Sequence, residues 1–307
     1  MNWLIFVIVA TLLDSTRIFV DNYASDVYFK GRGAVSQKLF YGYAFIVFTI
    51  LLIAITGFDL NPNFSDSFIL FFVSGLLGSL SGIPYYRALE LDDSTNIGIF
   101  TQLAPVLYLI LGWLFLGEKF TPLQLLAFAV ILMAPLLIIL TTRKRSRKIK
   151  IKAVFFAFLY VLIAVVGNLI FVKENISDLN FLTEIAFVFL GKGIGNLIIM
   201  YSRPKWRQRF YTVTKNSHKK VFRPLIANSI IGITKDITYR LALTLAPAVA
   251  IASAASDSAE PIVIFFMGII LTLIWPKFGR EKLDKKSIIV HLIATILVVI
   301  GIVVLQF

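Results

Sequence analysis

From Leu123 to Leu140, and again from Ile288 to Leu305, the chain carries no Asp, Glu, Lys or Arg. Runs of this length approach the roughly 20 residues with which a helix crosses the hydrocarbon core of a bilayer. Lipid offers no partner to backbone N–H and C=O groups, so a spanning segment is a helix or a strand of a closed barrel. Barrel strands alternate polar with apolar side chains, and these runs do not. Composition agrees, with 58% hydrophobic residues over 307 positions and a mean hydropathy of +0.86. A soluble domain holds about 45 to 50%. The expected fold class is therefore all-α, a polytopic membrane protein.

Polar breaks divide the chain into ten predicted spans: 3–24, 38–57, 67–89, 95–116, 122–141, 152–172, 180–201, 223–245, 248–275 and 287–306. The first opens on an apolar run, Trp3 to Ala10, with no basic segment before it, and reads as a retained span rather than a leader. The ninth is long enough to tilt or break at Pro261. Most Lys and Arg residues fall in the connections after spans 1, 5, 7 and 9, whereas the opposite connections hold only Lys119 and Lys173. The excess of basic residues on cytoplasmic loops then makes the odd connections cytoplasmic and both termini external, in the cell (plasma) membrane. That topology absorbs most of the +13 net charge. The Arg203 to Arg223 segment reads as facing anionic membrane lipid, not nucleic acid.

Several spans contradict their own apolarity. Asp14 and Arg17 lie in the first, Lys192 in the seventh, Lys235, Asp236 and Arg240 in the eighth, and Asp257 and Glu260 in the ninth. Each ionised side chain at a bilayer centre costs about 2.5 to 3.5 kcal/mol on insertion scales, so eight unpaired ones would cost roughly 20 to 28 kcal/mol. Mutual pairing and a hydrated chamber are the usual compensation, which points to a solute pathway. The chain has no cysteine, so disulfides and thiolate chemistry are excluded. Two histidines, His218 and His291, make no metal constellation, and no cofactor is expected.

Two stretches echo one another. Tyr85 to Leu89 (YYRAL), Pro105 and Gly117 to Phe120 (GEKF) find counterparts in Thr238 to Leu243 (TYRLAL), Pro261 and Arg280 to Leu283 (REKL). Each set precedes one more span, which gives two five-helix repeats, residues 1–142 and 153–307, joined by the basic linker 143–152. An odd number of spans per repeat inverts the second half relative to the first.

The segment Gly82 to Leu132, with its YxAL-like end of span 3, its proline in span 4 and its Gly-Glu-Lys turn before span 5, resembles the drug/metabolite transporter superfamily, in particular ten-helix EamA-like transporters. The resemblance implies secondary transport of small metabolites, often export. It also implies cytoplasmic termini, opposite to the charge count.

Lys192 lies about ten residues from either end of its span, roughly 15 Å deep, too far for easy snorkelling. It is expected to hold an anionic group, with Asn196 one turn away; the alternative is a permanent ion pair with Asp257, Glu260 or Asp14. Asp14 and Arg17 share a stripe with Asp21 and can pair along the helix. Lys235 is open to either a structural or a binding role, while Asp236 and Arg240 suit an internal salt bridge. Asp257 and Glu260 are one turn apart, so that both cannot ionise cheaply, and they are the expected proton-coupling pair. Thr101 and Gln102 precede Pro105, whose ring should free a carbonyl towards a cavity. The substrate-binding set is thus Lys192, Asn196, Asp14, Arg17, Lys235 and Gln102. Its charges balance, which favours an amino acid as substrate. The protein is expected to act as a monomer or homodimer. An intramembrane enzyme or a lipid-headgroup flippase is the competing class; the chain has no HExxH motif.

Overall fold

The computed structural model describes residues 2–29, 37–57, 64–91, 97, 100, 103–142, 150–174, 181–217, 220–274 and 285–305. Gln102, Thr101, His218, the REKL segment and most of the basic linker lie outside them. Helix makes up 93% of the structure and there is no strand among the described residues, so the barrel alternative is gone.

The first half contributes α1 (Asn2–Tyr28), α2 (Lys38–Thr56), α3 (Phe64–Leu80), α4 (Gly82–Leu91), α5 (Ala104–Leu111) with a π turn at its end (Gly112–Leu116), and α6 (Pro122–Thr142). The second contributes α7 (Ile151–Glu174), α8 (Phe181–Tyr201), α9 (Pro204–Ser217), α10 (Phe222–Leu245), α11 (Val249–Ile274) and α12 (Lys285–Val304). Six stretches are long and apolar enough to cross a membrane: Trp3–Tyr28, Lys38–Thr56, Phe68–Leu89, Ile151–Val172, Phe181–Tyr201 and Val249–Ile274. Ala104–Leu116, Pro122–Ile138 and Ile288–Val304 are shorter apolar helices. The eighth predicted span is a helix of 24 residues, but Arg223, Lys235, Asp236 and Arg240 keep α10 out of the apolar set. A helix so charged must turn those residues towards protein or water.

Three local expectations are corrected. Pro105 stands in the first turn of α5, where its missing N–H would have had no partner anyway, so it breaks no ladder. Pro261 sits inside α11, which continues unbroken around it. The basic connection after span 7 is largely helical: α9 turns Trp206, Phe210 and Val213 towards Phe29, Leu39 and Leu225. Arg209 Nη2 donates to the Phe29 carbonyl at 3.2 Å, meeting one of the acceptors that the end of α1 leaves open.

Contacts group the chain into two compact units. Unit 1 holds residues 1–16, 87–162 and 238–307; unit 2 holds residues 17–86 and 163–237. In unit 2, α8 packs against both α2 and α3. Lipid is as apolar as a leucine side chain, so helices associate in membranes by close contact, not by escape from water. Small residues supply that contact: a Cβ on Gly75 would overlap the Val188 carbonyl, and one on Gly191 would overlap the Phe72 carbonyl. Backbone so near invites hydroxyl donors, and Ser79 Oγ donates to the Lys192 carbonyl at 2.8 Å while Thr49 Oγ1 reaches the Ala186 carbonyl at 3.1 Å. Phe187 and Phe189 close the interface, with Phe68 and Phe45 as ring partners. The Ser74–Gly75–Gly78–Ser79 stripe is thus a packing surface.

In unit 1, α6 packs on α12 and α5 on α11. Ala134, Ile138, Ile262, Ala294 and Val298 form its buried core. Outward faces in both units carry large bare apolar side chains such as Ile55 and Leu273, which suit acyl chains and not water.

Candidate functional site

Unit 2 contains a polar cavity built from four helices. Arg17 comes from α1, Lys38, Tyr41 and Phe45 from α2, Asn196 from α8 and Asn228 from α10. Gly232, one turn along α10 from Asn228, has only hydrogen where a side chain would press on Arg17 Cδ at 3.3 Å. The cavity offers about 40 Å³ to the centres of water-sized spheres. One water needs about 10 to 15 Å³ on this measure, so two or three waters or a solute of a few heavy atoms would fit.

Among the polar atoms around it, some are hydrogen-bonded to neighbours and two amide oxygens are not. Tyr41 donates its hydroxyl to Asp21 Oδ1 at 2.6 Å, and Asn228 Nδ2 donates to the same oxygen at 2.7 Å. Asp21 accepts both, which fixes the Asn228 amide with its oxygen turned the other way. Asn228 Oδ1 and Asn196 Oδ1 are buried and make no hydrogen bond among the described residues. Each side chain is only 2% exposed. Buried amide oxygens left in this state cost about 1 to 3 kcal/mol apiece unless water or a ligand meets them.

One helical turn from Asn196, Lys192 pairs with Asp236 of α10, each side chain 16% exposed, and its ammonium stands 5.9 Å from the centre of the Phe45 ring. The sequence offered Asp257, Glu260 or Asp14 as ion-pair partners; the carboxylate that meets Lys192 is Asp236, which the sequence had given to Arg240. Phe45 touches both features, since it also lines the cavity. Arg17, Asn196, Lys192 and Asp236 are therefore brought together within unit 2. Lys235 is half-buried on α10 beside Asp236.

Asp14, Asp257 and Glu260 belong to unit 1, where the boundary passes between Thr16 and Arg17 inside α1. There Ser253 Oγ donates to Asp257 Oδ2 at 3.1 Å, and the Thr11 and Ser256 hydroxyls meet at 3.2 Å. Tyr239 is buried among Tyr108, Ser253 and Asp257. Pro261 has no N–H to give the Asp257 carbonyl four residues back, so the backbone beside this carboxylate is loosened. Glu260 is half-buried on the next turn.

Sequence reasoning missed two residues. Lys38 counted as one more cytoplasmic loop charge, although its place one turn before Tyr41 at the head of an apolar run was a readable sign of an inward-facing cation. Glu118, in the GEKF turn, caps α11: its Oε1 accepts from the Val249 N–H, and the Ala250 N–H also bonds its carboxylate. A carboxylate at a helix N-terminus meets both open N–H groups and the positive end of the dipole. Gly117 makes the turn possible, with φ of 68°. Burial pushes the Glu118 carboxyl above its ordinary range, and the two backbone N–H groups pull the other way.

Residues 25–140 match the model of the EamA-like transporter family. This first-half stretch is thus similar to the EamA-like transporters. The matched stretch contains the YYRAL, Pro105 and GEKF elements, and the conspicuous Gly-Glu turn within it is the helix cap described above. A protein of known crystal structure superposes with a TM-score of 0.69 at 16% identity, covering 99% of this chain and 96% of its own. That likeness is one of fold. No curated protein matches the sequence.

Proposed function

We propose that this EamA-like protein is a secondary transporter, an exporter of a small polar metabolite, working by alternating access between two inverted five-helix halves. The observation that carries the reading is the unit 2 cavity: charged and amide groups are gathered around a space of water-molecule size inside helices apolar enough to span a membrane. Arg17 and Asn196 line the solute site, Lys192 borders it through its pair with Asp236, and Lys235 flanks that pair. Asp257, held by Ser253, and Glu260 carry the coupling proton, and Asp14 belongs to the same unit. Gln102 is proposed as a further solute contact from the sequence alone. No cofactor or metal enters the scheme.

The inverted halves gain support from the way the units divide. The boundary falls close to corresponding places in the two repeat motifs, between Tyr86 and Arg87 within the first and between Ile237 and Thr238 at the start of the second. Helices that the repeat pairs also pack together, α5 with α11 and α6 with α12. In a transporter of this kind the two-fold relation lets one arrangement of helices serve both open states.

The protein is placed in the plasma membrane with its odd connections cytoplasmic. Reconstituted protein should show saturable, gradient-dependent counterflow of its solute, and Lys192→Ala should slow it at least about tenfold, the worth of one lost charged hydrogen bond. Transport by the variant at the wild-type rate would refute the role of Lys192. The absence of cysteine allows single-cysteine labelling: an impermeant thiol reagent on intact cells should reach a cysteine at Asp59 but not one at Lys144, and the reverse would invert the topology.

A further inference from the structure

Between Glu184 and Asp236 the sequence contains no Asp or Glu, so the basic residues of α9 have no acid on their own stretch of chain. Trp206, Phe210 and Val213 turn one side of α9 onto the bundle. Arg207 is left on the flank where α9 meets the end of α8, its guanidinium 5.0 Å from the centre of the Tyr201 ring. A guanidinium lying over a ring keeps its N–H edge for other partners, and Arg207 forms no ion pair with a carboxylate among the described residues. Tyr201 is also the middle of a chain of hydroxyls. It bonds Tyr43 of α2 at 3.0 Å, and Tyr211 of α9 joins it from the other side. Three hydroxyls linked by two hydrogen bonds keep one proton for an outside acceptor. Tyr43, Tyr201 and Tyr211 are all about half exposed. Tyr201 is the last residue of one apolar span and Tyr43 lies in the second turn of another, the level at which tyrosines meet lipid headgroups.

An apolar track leads away from this cluster. Val47 and Ile50 follow Tyr43 by four and seven residues on α2, and Ile198 precedes Tyr201 by three on α8, so each lies on the same helix face as its tyrosine. All three are exposed, and the bond between Tyr43 and Tyr201 sets the two stripes side by side. We propose that this face binds one anionic phospholipid, its phosphate on Arg207 and the tyrosine hydroxyls and an acyl chain along Val47, Ile50 and Ile198. Charge complementarity selects the occupant: an unpaired guanidinium and a spare hydroxyl proton ask for a phosphate, and the track beneath them asks for hydrocarbon on the same molecule. A soluble phosphate would leave the track unused. The sequence sets the whole Arg203 to Arg223 segment against anionic lipid; the structure narrows that attraction to one place in unit 2, apart from the cavity and independent of what the protein transports.

Full-length protein in a nonionic detergent is titrated with phosphatidylglycerol, with phosphatidylcholine of the same chains and with glycerol 1-phosphate, and bound molecules are counted by native mass spectrometry. One phosphatidylglycerol per chain should be retained, at least about fivefold more tightly than phosphatidylcholine. Arg207→Gln should remove that advantage and leave phosphatidylcholine unchanged. Lys205→Gln removes the same charge from the opposite side of α9, two residues or about 200° around the helix, and should keep the advantage. Val47→Asn, in the track, should weaken both lipids. Equal retention of the two lipids in the unaltered protein would overturn the proposal, whatever any variant does. Equal losses from Arg207→Gln and Lys205→Gln would reduce the face to diffuse attraction and overturn the site. Displacement of phosphatidylglycerol by an equal concentration of glycerol 1-phosphate would overturn it too, because the hydrocarbon track would then contribute nothing.

Discussion

The Lys192–Asp236 pair offers an asymmetric test of how unit 2 manages its charge. Replacing one member of a buried pair costs about 3 to 5 kcal/mol, because the other is left without compensation. Both side chains keep 16% of their surface exposed, which puts the expected cost at the low end, about 3 kcal/mol. The two halves of the pair are not equivalent. Asp236→Asn leaves Lys192 in a unit that already gathers Arg17 and Lys38, so repulsion is added to lost attraction. Lys192→Met leaves Asp236 acting on Lys38, a cation that feels it even in the native protein. At about 2 to 4 °C per kcal/mol for a protein of this size class, Asp236→Asn should lower the midpoint of thermal unfolding by about 6 to 12 °C, and Lys192→Met by about half as much. The double variant Lys192→Met, Asp236→Leu should recover most of the loss, since removing both charges removes the desolvation penalty with the attraction. Midpoints are read by differential scanning fluorimetry in one detergent at neutral pH. A Lys192→Met midpoint as low as that of Asp236→Asn would refute the cation-rich picture of the cavity. Additive losses in the double variant would refute the pairing itself.

Two further outcomes follow from packing and capping. Gly75→Leu should prevent α3 from seating on α8, because even a Cβ there overlaps the Val188 carbonyl; a loss well beyond the about 1 to 3 kcal/mol of ordinary overpacking is expected, seen as a collapse of folded yield by size-exclusion chromatography, and normal yield would contradict the contact. Glu118 has its carboxyl raised by burial, so the folded state holds the proton more tightly than the unfolded chain, and its ionisation lowers stability as pH rises from the ordinary carboxyl range through the raised value. Glu118→Gln keeps an oxygen for the Val249 N–H and removes that dependence; wild-type and variant midpoints should diverge in favour of the variant between mildly acidic and neutral pH, and parallel pH profiles would refute it.

How far the sequence reaches depends on the kind of interaction. The long apolar helices were legible because bilayer thickness fixes their length, while α9 escaped, since its polar surface hides an apolar stripe of Trp206, Phe210 and Val213 in a run of basic residues. Residues on one helix were easy to group: Lys192 with Asn196 and Asp257 with Glu260 each follow from the helical repeat. Partners across helices were not, because facing helices have no periodic relation in sequence. Lys192 could pair with any of several carboxylates by composition, and only the packing of α8 against its neighbours selects Asp236. Lys38 illustrates the same limit from the other side. At the edge of a span, a cation that guides topology and a cation that faces a cavity have the same sequence signature.

The repeat and the contact units divide the chain along different lines, and that difference has a consequence for folding. Residues 1–142 contain α2 and α3, whose close-packed partner α8 comes from the second half, and α5 and α6, whose partners α11 and α12 also come from the second half. Neither half can bury its small-residue faces by itself: Gly75 meets Val188, and Gly301 of α12 lies against Ile131 of α6. Membrane helices deprived of such contacts gain little from each other, so each isolated half should be inserted yet unstable. Expressed together as separate chains, residues 1–142 and 153–307 should assemble, because the two of them hold both sides of each of these contacts. Co-purification of the second half through an affinity tag on the first, with each half alone degraded or aggregated, is the expected result. A first half that purifies alone as a monodisperse species would mean that five helices suffice for a folded unit, and the packing between halves would not be what holds this protein together.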